Sequence, residues 1–268
     1  MPRILRLPPF LVFLLLLAIA GSVQAAADTA LERIQQRGTL ILGTSGNMPS
    51  MSEVDASGKA SGFDIDLARI MADLMGVKLE IRVMPFSELL PALEAGQVDV
   101  VISNVTITPK RNLKVAFVGP YMTSGKCIVT KSEALANAGQ SQDLNTPETR
   151  LAVLGGSTSE DFAHELFPNA TLLQVADYVQ AADLVKSDKA SGMLTDYPIC
   201  VATLKSNPDA GFVSVFSLLT YEPIGIALPP NDAQFINWTE NFLDRLTGTN
   251  GIKELSARWF GKTQLKRQ

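Results

Sequence analysis

From Thr39 onward, short apolar runs of strand character alternate with segments that repeat apolar residues at helical spacing, and this alternation restricts the fold more than any other feature. Residues 39–44 read as a buried strand. Residues 64–75 place Leu67, Ile70, Met71 and Leu74 on one helical face, with Gly76 as the stop signal. Residues 78–83 are a second strand, 87–94 a short helix ended by Gly96, and 98–103 a third apolar strand. A βαβαβ order builds a mostly parallel sheet with helices on both faces. The pattern then repeats, with strands at 125–130 and 150–154, a helix at 160–166 ended by Pro168, a strand at 171–175, a helix at 177–186 and a strand at 191–195. The expected fold class is therefore α/β, in two successive lobes. After strands at 212–216 and 225–228, helices at 232–246 and 252–260 follow with no strand between them. They are too few for a third domain, so the chain is expected to return to the first lobe through a two-strand hinge. Lobe one is expected at 28–122 and 229–268, and lobe two at 123–228.

Ahead of this region, Arg3 and Arg6 precede an apolar run over 10–20, and small residues at 23–25 or 25–27 suit a signal peptidase. The run is too short for a membrane span, which needs about 20 residues. Residues 1–27 are thus expected to be a cleaved export signal, with no nearby cysteine for lipid attachment and a periplasmic destination. Without them the chain carries 21 basic and 27 acidic side chains, a net charge of −6. Such a surface repels nucleic acid and anionic lipid. Cys127 and Cys200 lack metal-ligand spacing; in an oxidising compartment they either pair or remain buried thiols. The lone His164 has no nucleophile signature or ligand cluster around it and reads as surface or structural.

In open α/β sheets, ligands bind beyond the carboxyl ends of the strands. After the strand at 98–103 comes Ser103-Asn104-Val105-Thr106-Ile107-Thr108-Pro109-Lys110-Arg111. Thr108 before Pro109 is a helix N-cap, which puts Arg111 in a first turn. A cation there opposes the helix dipole and suggests a shared anion, although an exposed solubilising arginine fits the local pattern as well. After 150–154, Gly155-Gly156-Ser157-Thr158 offers close backbone approach and a helix cap, with Ser157 or Thr158 as the capping residue. Many such turns bind nothing, and this one lacks the lysine of a phosphate loop. Asp196 ends the strand at 191–195. It either caps the next helix or, facing a closed cleft, pairs with an ammonium group.

These residues resemble the type 3 extracellular solute-binding proteins of polar amino-acid ABC transporters over nearly the whole chain after residue 27. The resemblance rests on Gly62-Phe63-Asp64-Ile65-Asp66-Leu67-Ala68, on Pro85 through Leu93, on Asp99 through Arg111 and on Gly119-Pro120-Tyr121. Gly156-Ser157-Thr158, Thr195-Asp196-Tyr197-Pro198 and Trp259-Phe260-Gly261 complete it. It implies a two-lobed, Venus-flytrap periplasmic binding protein of type II, a monomer working with a membrane permease and needing no metal or cofactor. Arg111 would take a ligand carboxylate with help from N–H groups at Ser157 and Thr158, and Asp196 would accept the ammonium. Thr106 and the backbone near Ser103 and Asn104 would complete the cage, and Phe63 would pack over the ligand.

One departure is Met48-Pro49-Ser50-Met51, where such proteins usually read Tyr-Pro-Pro-Phe. Met48 then lines a looser, broader pocket in place of an aromatic lid. The same fold carries an enzyme, cyclohexadienyl dehydratase, whose catalytic glutamate stands three positions beyond the aspartate matching Asp196. Here that position is Ile199, which cannot donate a proton. Glu160 and Glu222 are the other acids able to enter the cleft. A sensory or accessory binding protein would use the same cleft, and neighbouring permease and ATPase genes would separate the two uses.

Overall fold

A computed structural model describes residues 28–137 and 141–261. The expected export signal at 1–27, and residues 262–268 at the far end, lie outside them. Eleven strands occur among the described residues: β1 (Thr39–Thr44), β2 (Asn47–Met48), β3 (Ser52–Val54), β4 (Ala60–Ser61), β5 (Lys78–Val83), β6 (Val100–Val101), β7 (Ala116–Thr130), β8 (Arg150–Leu154), β9 (Thr171–Val175), β10 (Gly192–Asp196) and β11 (Val213–Leu228). The helices that matter here are α1 (Ala30–Arg37), α2 (Phe63–Met75), α3 (Leu89–Glu94), α4 (Pro109–Asn112), α5 (Glu133–Ala136), α6 (Thr158–Leu166), α7 (Tyr178–Lys186), α8 (Tyr197–Ser206), α9 (Ala233–Gly248) and α10 (Gly251–Phe260).

Eight strands form one sheet in the order β5-β1-β6-β11-β7-β10-β8-β9, and β2, β3 and β4 make a small separate sheet. One end of the large sheet is parallel, with β1 between β5 and β6. The other end is parallel as well, with β8 between β9 and β10. Antiparallel pairing of β7 with β11 joins the two ends. The molecule is therefore a two-lobed α/β protein whose lobes share a pair of long strands.

Those long strands differ from the expectation of separate short ones at 125–130, 212–216 and 225–228. Gly119, Pro120 and Pro223, which lie outside the expected strands, and Gly225, where one was expected to begin, all sit within the two long strands. The ladder absorbs them through register shifts between Ser217 and Glu222 and between Ile224 and Ile226. Proline and glycine are tolerated at such irregularities because local pairing is already lost there. The expected strand at 98–103 shrinks to β6, and the helix at 87–94 begins as a short turn of 3₁₀ helix at Phe86–Glu88 before α3. On α2, Leu67 and Met71 are buried as expected, but Leu74 is exposed and Ile65 and Ala68 take its place on the inner face.

The C-terminal helices pack on the N-terminal part of the chain. Asp232 caps α9 through Phe235 N and accepts from Leu31 N on α1 at 2.8 Å. On α10, Trp259 Nε1 donates to Asp66 Oδ2 on α2 at 3.0 Å, and Arg258 pairs with the same carboxylate. A large apolar core runs under both lobes and the hinge, and a smaller cluster around Leu151, Val153, Ala163 and Leu194 fills the far lobe.

The two cysteines are paired: Cys127 on β7 is bonded to Cys200 on α8, with Cα atoms 6.4 Å apart. This bond closes a loop with a sequence separation of 73. By loop-closure entropy it stabilises the fold by about 4 kcal/mol. Reduction, or Cys200→Ser, is expected to lower the urea unfolding free energy by that amount; a loss below about 1 kcal/mol would contradict the assignment of the bond as a stabilising cross-link.

Candidate functional site

The polar residues flagged at strand ends meet in the cleft between the lobes. After β6 the chain runs alongside β11: Gly225 N donates to Val105 O at 3.1 Å and Ile107 N to Pro223 O at 2.7 Å. A side chain at Gly225 would lie 2.7 Å from Ile107 Cδ1, so the absence of Cβ permits this approach. Thr106 is thereby bridged to Ile224 on β11.

Thr108 then caps α4 as expected, accepting from Arg111 N at 3.2 Å with Pro109 in the first turn. The cap aims the Arg111 guanidinium into the cleft, where it bridges both lobes. Nη1 donates to Thr106 O at 2.8 Å and Nη2 to Gly156 O at 3.1 Å. The guanidinium also lies 5.8 Å from the Phe86 ring centroid, within cation–π range. Burial pushes the Arg111 pKa down, and the charges of Asp161, Asp196 and Glu222 pull it back up. It stays a cation with donors to spare.

Across the cleft, Gly156 adopts a left-handed φ of 75°, and Ser157 caps α6 by accepting from Glu160 N at 3.2 Å. Thr158 Oγ1 lies 3.3 Å from Thr106 Oγ1 on the other lobe. Asp196 occupies the N-cap position of α8 but makes no capping bond. Its carboxylate turns into the cleft instead, where Oδ1 accepts from Lys126 Nζ at 2.8 Å and Oδ2 from Asn104 Nδ2 at 3.3 Å. Lys126 Nζ also donates to Thr158 Oγ1 at 2.7 Å and pairs with Glu222 Oε2 at 3.3 Å. Thr158 in turn donates to Glu222 Oε2 at 3.1 Å. Lys126, Asp196 and Glu222 are only 2%, 5% and 7% exposed, so this cluster of charges is desolvated.

Behind the cleft lies a supporting layer. Asn104 takes a left-handed φ of 50°, and its N–H donates to Asp64 Oδ2 at 2.8 Å. Asp64 Oδ1 accepts from Tyr121 on β7 at 2.8 Å. Burial pushes the Asp64 carboxyl up to about 7, against the opposing pull of the Tyr121 and Asn104 hydrogen bonds. Ser103 Oγ accepts from Ser45 N at 3.0 Å and steadies the loop after β1. The hydroxyl of Tyr178 is held well above its ordinary range by burial and by the Asp196 charge.

Seven of the nine flagged residues thus gather at the cleft or directly behind it: Arg111, Asp196, Thr106, Asn104, Thr158, Ser157 and Ser103. Phe63 does not. It is fully buried, stacks on Tyr121 at 5.7 Å and packs at a tilt on Phe260 at 5.9 Å, because as the first residue of α2 it points into the core. Met48 is also buried in the core, on β2, while its neighbour Asn47 crosses the cleft to donate to Ala176 O at 3.4 Å. Lys126 was not flagged, since it neither ends a strand nor caps a helix. Its only trace in the sequence is a charge at the head of the otherwise uncharged run Cys127-Ile128-Val129-Thr130.

A sheet broken into two lobes by long hinge strands, with opposite charges facing one another across the gap, defines a class of proteins that close around small solutes. Residues 40–262 match the model of the bacterial extracellular solute-binding proteins, family 3, and the chain belongs to that family. ABC transporter arginine-binding protein 1 of Escherichia coli (strain K12) is 25% identical over 253 residues, covering 92% of this chain and 98% of its own. The glutamine-binding protein of Geobacillus stearothermophilus is 28% identical over 235 residues, covering 86% and 85%. Among solved structures, an ancestral amino acid-binding protein, a precursor of cyclohexadienyl dehydratase, is 35% identical with a TM-score of 0.80, covering 87% of this chain and all of that one.

The raised Asp64 pKa sets a pH dependence. Its folded value of about 7 exceeds the ordinary 3.8, so the neutral form favours folding. That contribution is fully present below about pH 4 and is lost as pH rises through 7; between pH 5 and pH 8 it amounts to on the order of 3 kcal/mol. Asp64→Asn cannot ionise, so the stability gap between parent and variant should shift by about that amount over the range in denaturant melts. A gap independent of pH would rule out a titrating Asp64.

Proposed function

We propose that this chain binds a free L-amino acid between its lobes in the periplasm and delivers it to the membrane permease of an ABC transporter. The observation that carries the proposal is the convergence of Arg111 and Asp196 on one buried cleft, a guanidinium on one lobe facing a carboxylate on the other. A zwitterion presents one group for each. Arg111 uses one bond from each of its two terminal nitrogens on backbone carbonyls and keeps donors for a carboxylate. On the other side, the buried Oδ1 of Asn104 has no hydrogen-bond partner among the described residues, which suits an ammonium donor shared with Asp196. Thr106 and Thr158, already in contact across the cleft, supply hydroxyls from both lobes.

Because Arg111 and Asn104 lie on one lobe and Asp196 on the other, the ligand gains most when the lobes are shut and so shifts the population toward the closed form. In this reading lobe one comprises about residues 28–122 and 229–268, and lobe two about 123–228. The crossing lies within β7 and β11, whose stretch 213–217 pairs with 126–130 on the lobe-two side and whose stretch 226–228 pairs with 116–118 and with β6 on the lobe-one side. The protein acts as an exported monomer once residues 1–27 are removed.

The chain is a binder rather than a dehydratase in this proposal. Ile199, which stands where the enzyme has its proton donor, is fully buried in the core. Glu222 does enter the cleft, but it is tied to Lys126 and Thr158 and so is not poised to protonate a leaving hydroxyl.

Arg111→Ala and Asp196→Ala should each weaken amino-acid binding by about 2 to 5 kcal/mol, since each strands a buried opposite charge. Thermal shift against the common amino acids identifies the ligand, and calorimetric titration of the variants measures the loss. Unchanged affinity in both variants would defeat the proposal.

A further inference from the structure

We infer that Lys126 is a specificity-determining residue that confines the cleft to amino acids with uncharged side chains and discriminates against cationic ones. The inference rests on the amino-acid reading above and concerns the charge balance of the same site. Four charged side chains face the cleft: Arg111 and Lys126, Asp196 and Glu222. They sum to zero. A zwitterion with a neutral side chain keeps the sum at zero, its carboxylate on Arg111 and its ammonium on Asp196.

Lys126 alters what the acids can offer. Its ammonium already holds Asp196 Oδ1 at 2.8 Å and Glu222 Oε2 at 3.3 Å. When a ligand ammonium joins it at Asp196, two cations share that carboxylate, and Glu222 is needed as their second counter-ion. Both cleft carboxylates are then committed. Asp161 also acts on the Arg111 charge, but its side chain is mostly exposed and lies 4.0 Å from Lys110, so it stands in solvent rather than in the desolvated cluster. A guanidinium or ammonium on the ligand side chain would therefore enter a desolvated space with a surplus positive charge and no unshared partner, a costly arrangement. Were position 126 uncharged, Glu222 would be available to receive it.

The test uses the full mature chain and its single and double variants, titrated calorimetrically with a panel of neutral amino acids (glutamine, serine, leucine), cationic ones (arginine, lysine) and glutamate. The parent should bind its best neutral ligand at least about tenfold more tightly than arginine or lysine. Lys126→Met leaves the cleft one charge negative and should cut that preference at least about tenfold by improving cationic binding. Lys126→Met combined with Glu222→Gln restores the balance and should restore the neutral preference, which a merely structural lysine would not do. Glu222→Gln alone leaves a positive surplus and should improve glutamate relative to arginine, so the charge rule stays testable even where Lys126→Met fails to fold.

Parent binding of arginine or lysine as tight as that of any neutral amino acid would overturn the inference while leaving the amino-acid reading intact. So would a neutral-to-cationic ratio that is the same in parent and variants. No binding of any amino acid by the parent would instead remove the reading on which the inference rests.

Discussion

A lysine ammonium held out of water between two carboxylates is the arrangement on which the cleft depends. Taking such an ion from water costs several kcal/mol unless every donor finds an acceptor. Lys126 meets that condition with three acceptors from three different elements: Thr158 at the start of α6, Asp196 at the end of β10 and Glu222 on β11. One side chain thus fixes the positions of the groups that, in the proposed function, the ligand would meet. It also explains why Asp196, standing at the N-cap position of α8, leaves the helix uncapped. The charge-assisted bond to a buried ammonium is worth more than a neutral capping bond.

The hinge strands supply the other half of the geometry. β7 pairs with β11 on both sides of the crossing, so the two lobes cannot slide independently along the strands. On the returning strand the ladder is interrupted between Ser217 and Glu222. Glu222 stands at the edge of that interruption, and its carboxylate reaches Lys126 from the strand that bends. In the proposed function, closure and the ion cluster would be coupled through these same few residues.

The fold was legible because its two signals, short continuous apolar runs and helical spacing, are local. Their alternation announced two α/β lobes before any contact was known. The hinge strands were not legible at full length, because Pro120, Pro223 and the glycines beside them are turn formers whose behaviour here is decided by pairing across the sheet. Arg111, Asp196 and Thr158 could be read from caps and strand ends, features that a short window contains. Phe63 was misplaced, since its inward direction follows from stacking on Tyr121 and Phe260, residues far away in sequence. Lys126 escaped notice for the same reason. Only the uncharged run that follows it marks it locally, and its partners lie 32, 70 and 96 positions along the sequence.

The supporting layer shows how the cleft is tied back to the hinge. Tyr121 and Lys126 stand five residues apart on β7, one on each side of the crossing. From Tyr121 a chain of hydrogen bonds runs through Asp64 and the backbone of Asn104 to the Asn104 amide, on to Asp196, and back to Lys126. It is a closed ring that begins and ends on the same strand. Bending β7 separates Tyr121 from Lys126 in direction, and the bond most easily surrendered is the longest, Asn104 Nδ2 to Asp196 Oδ2 at 3.3 Å, which is also the one that crosses the cleft. In the proposed function, opening would break the ring at the point where a ligand ammonium would enter, and a bound ammonium bridging Asn104 Oδ1 and Asp196 would reseal it. The left-handed backbone of Asn104, held by Asp64, keeps that amide aimed across the gap while the strand flexes.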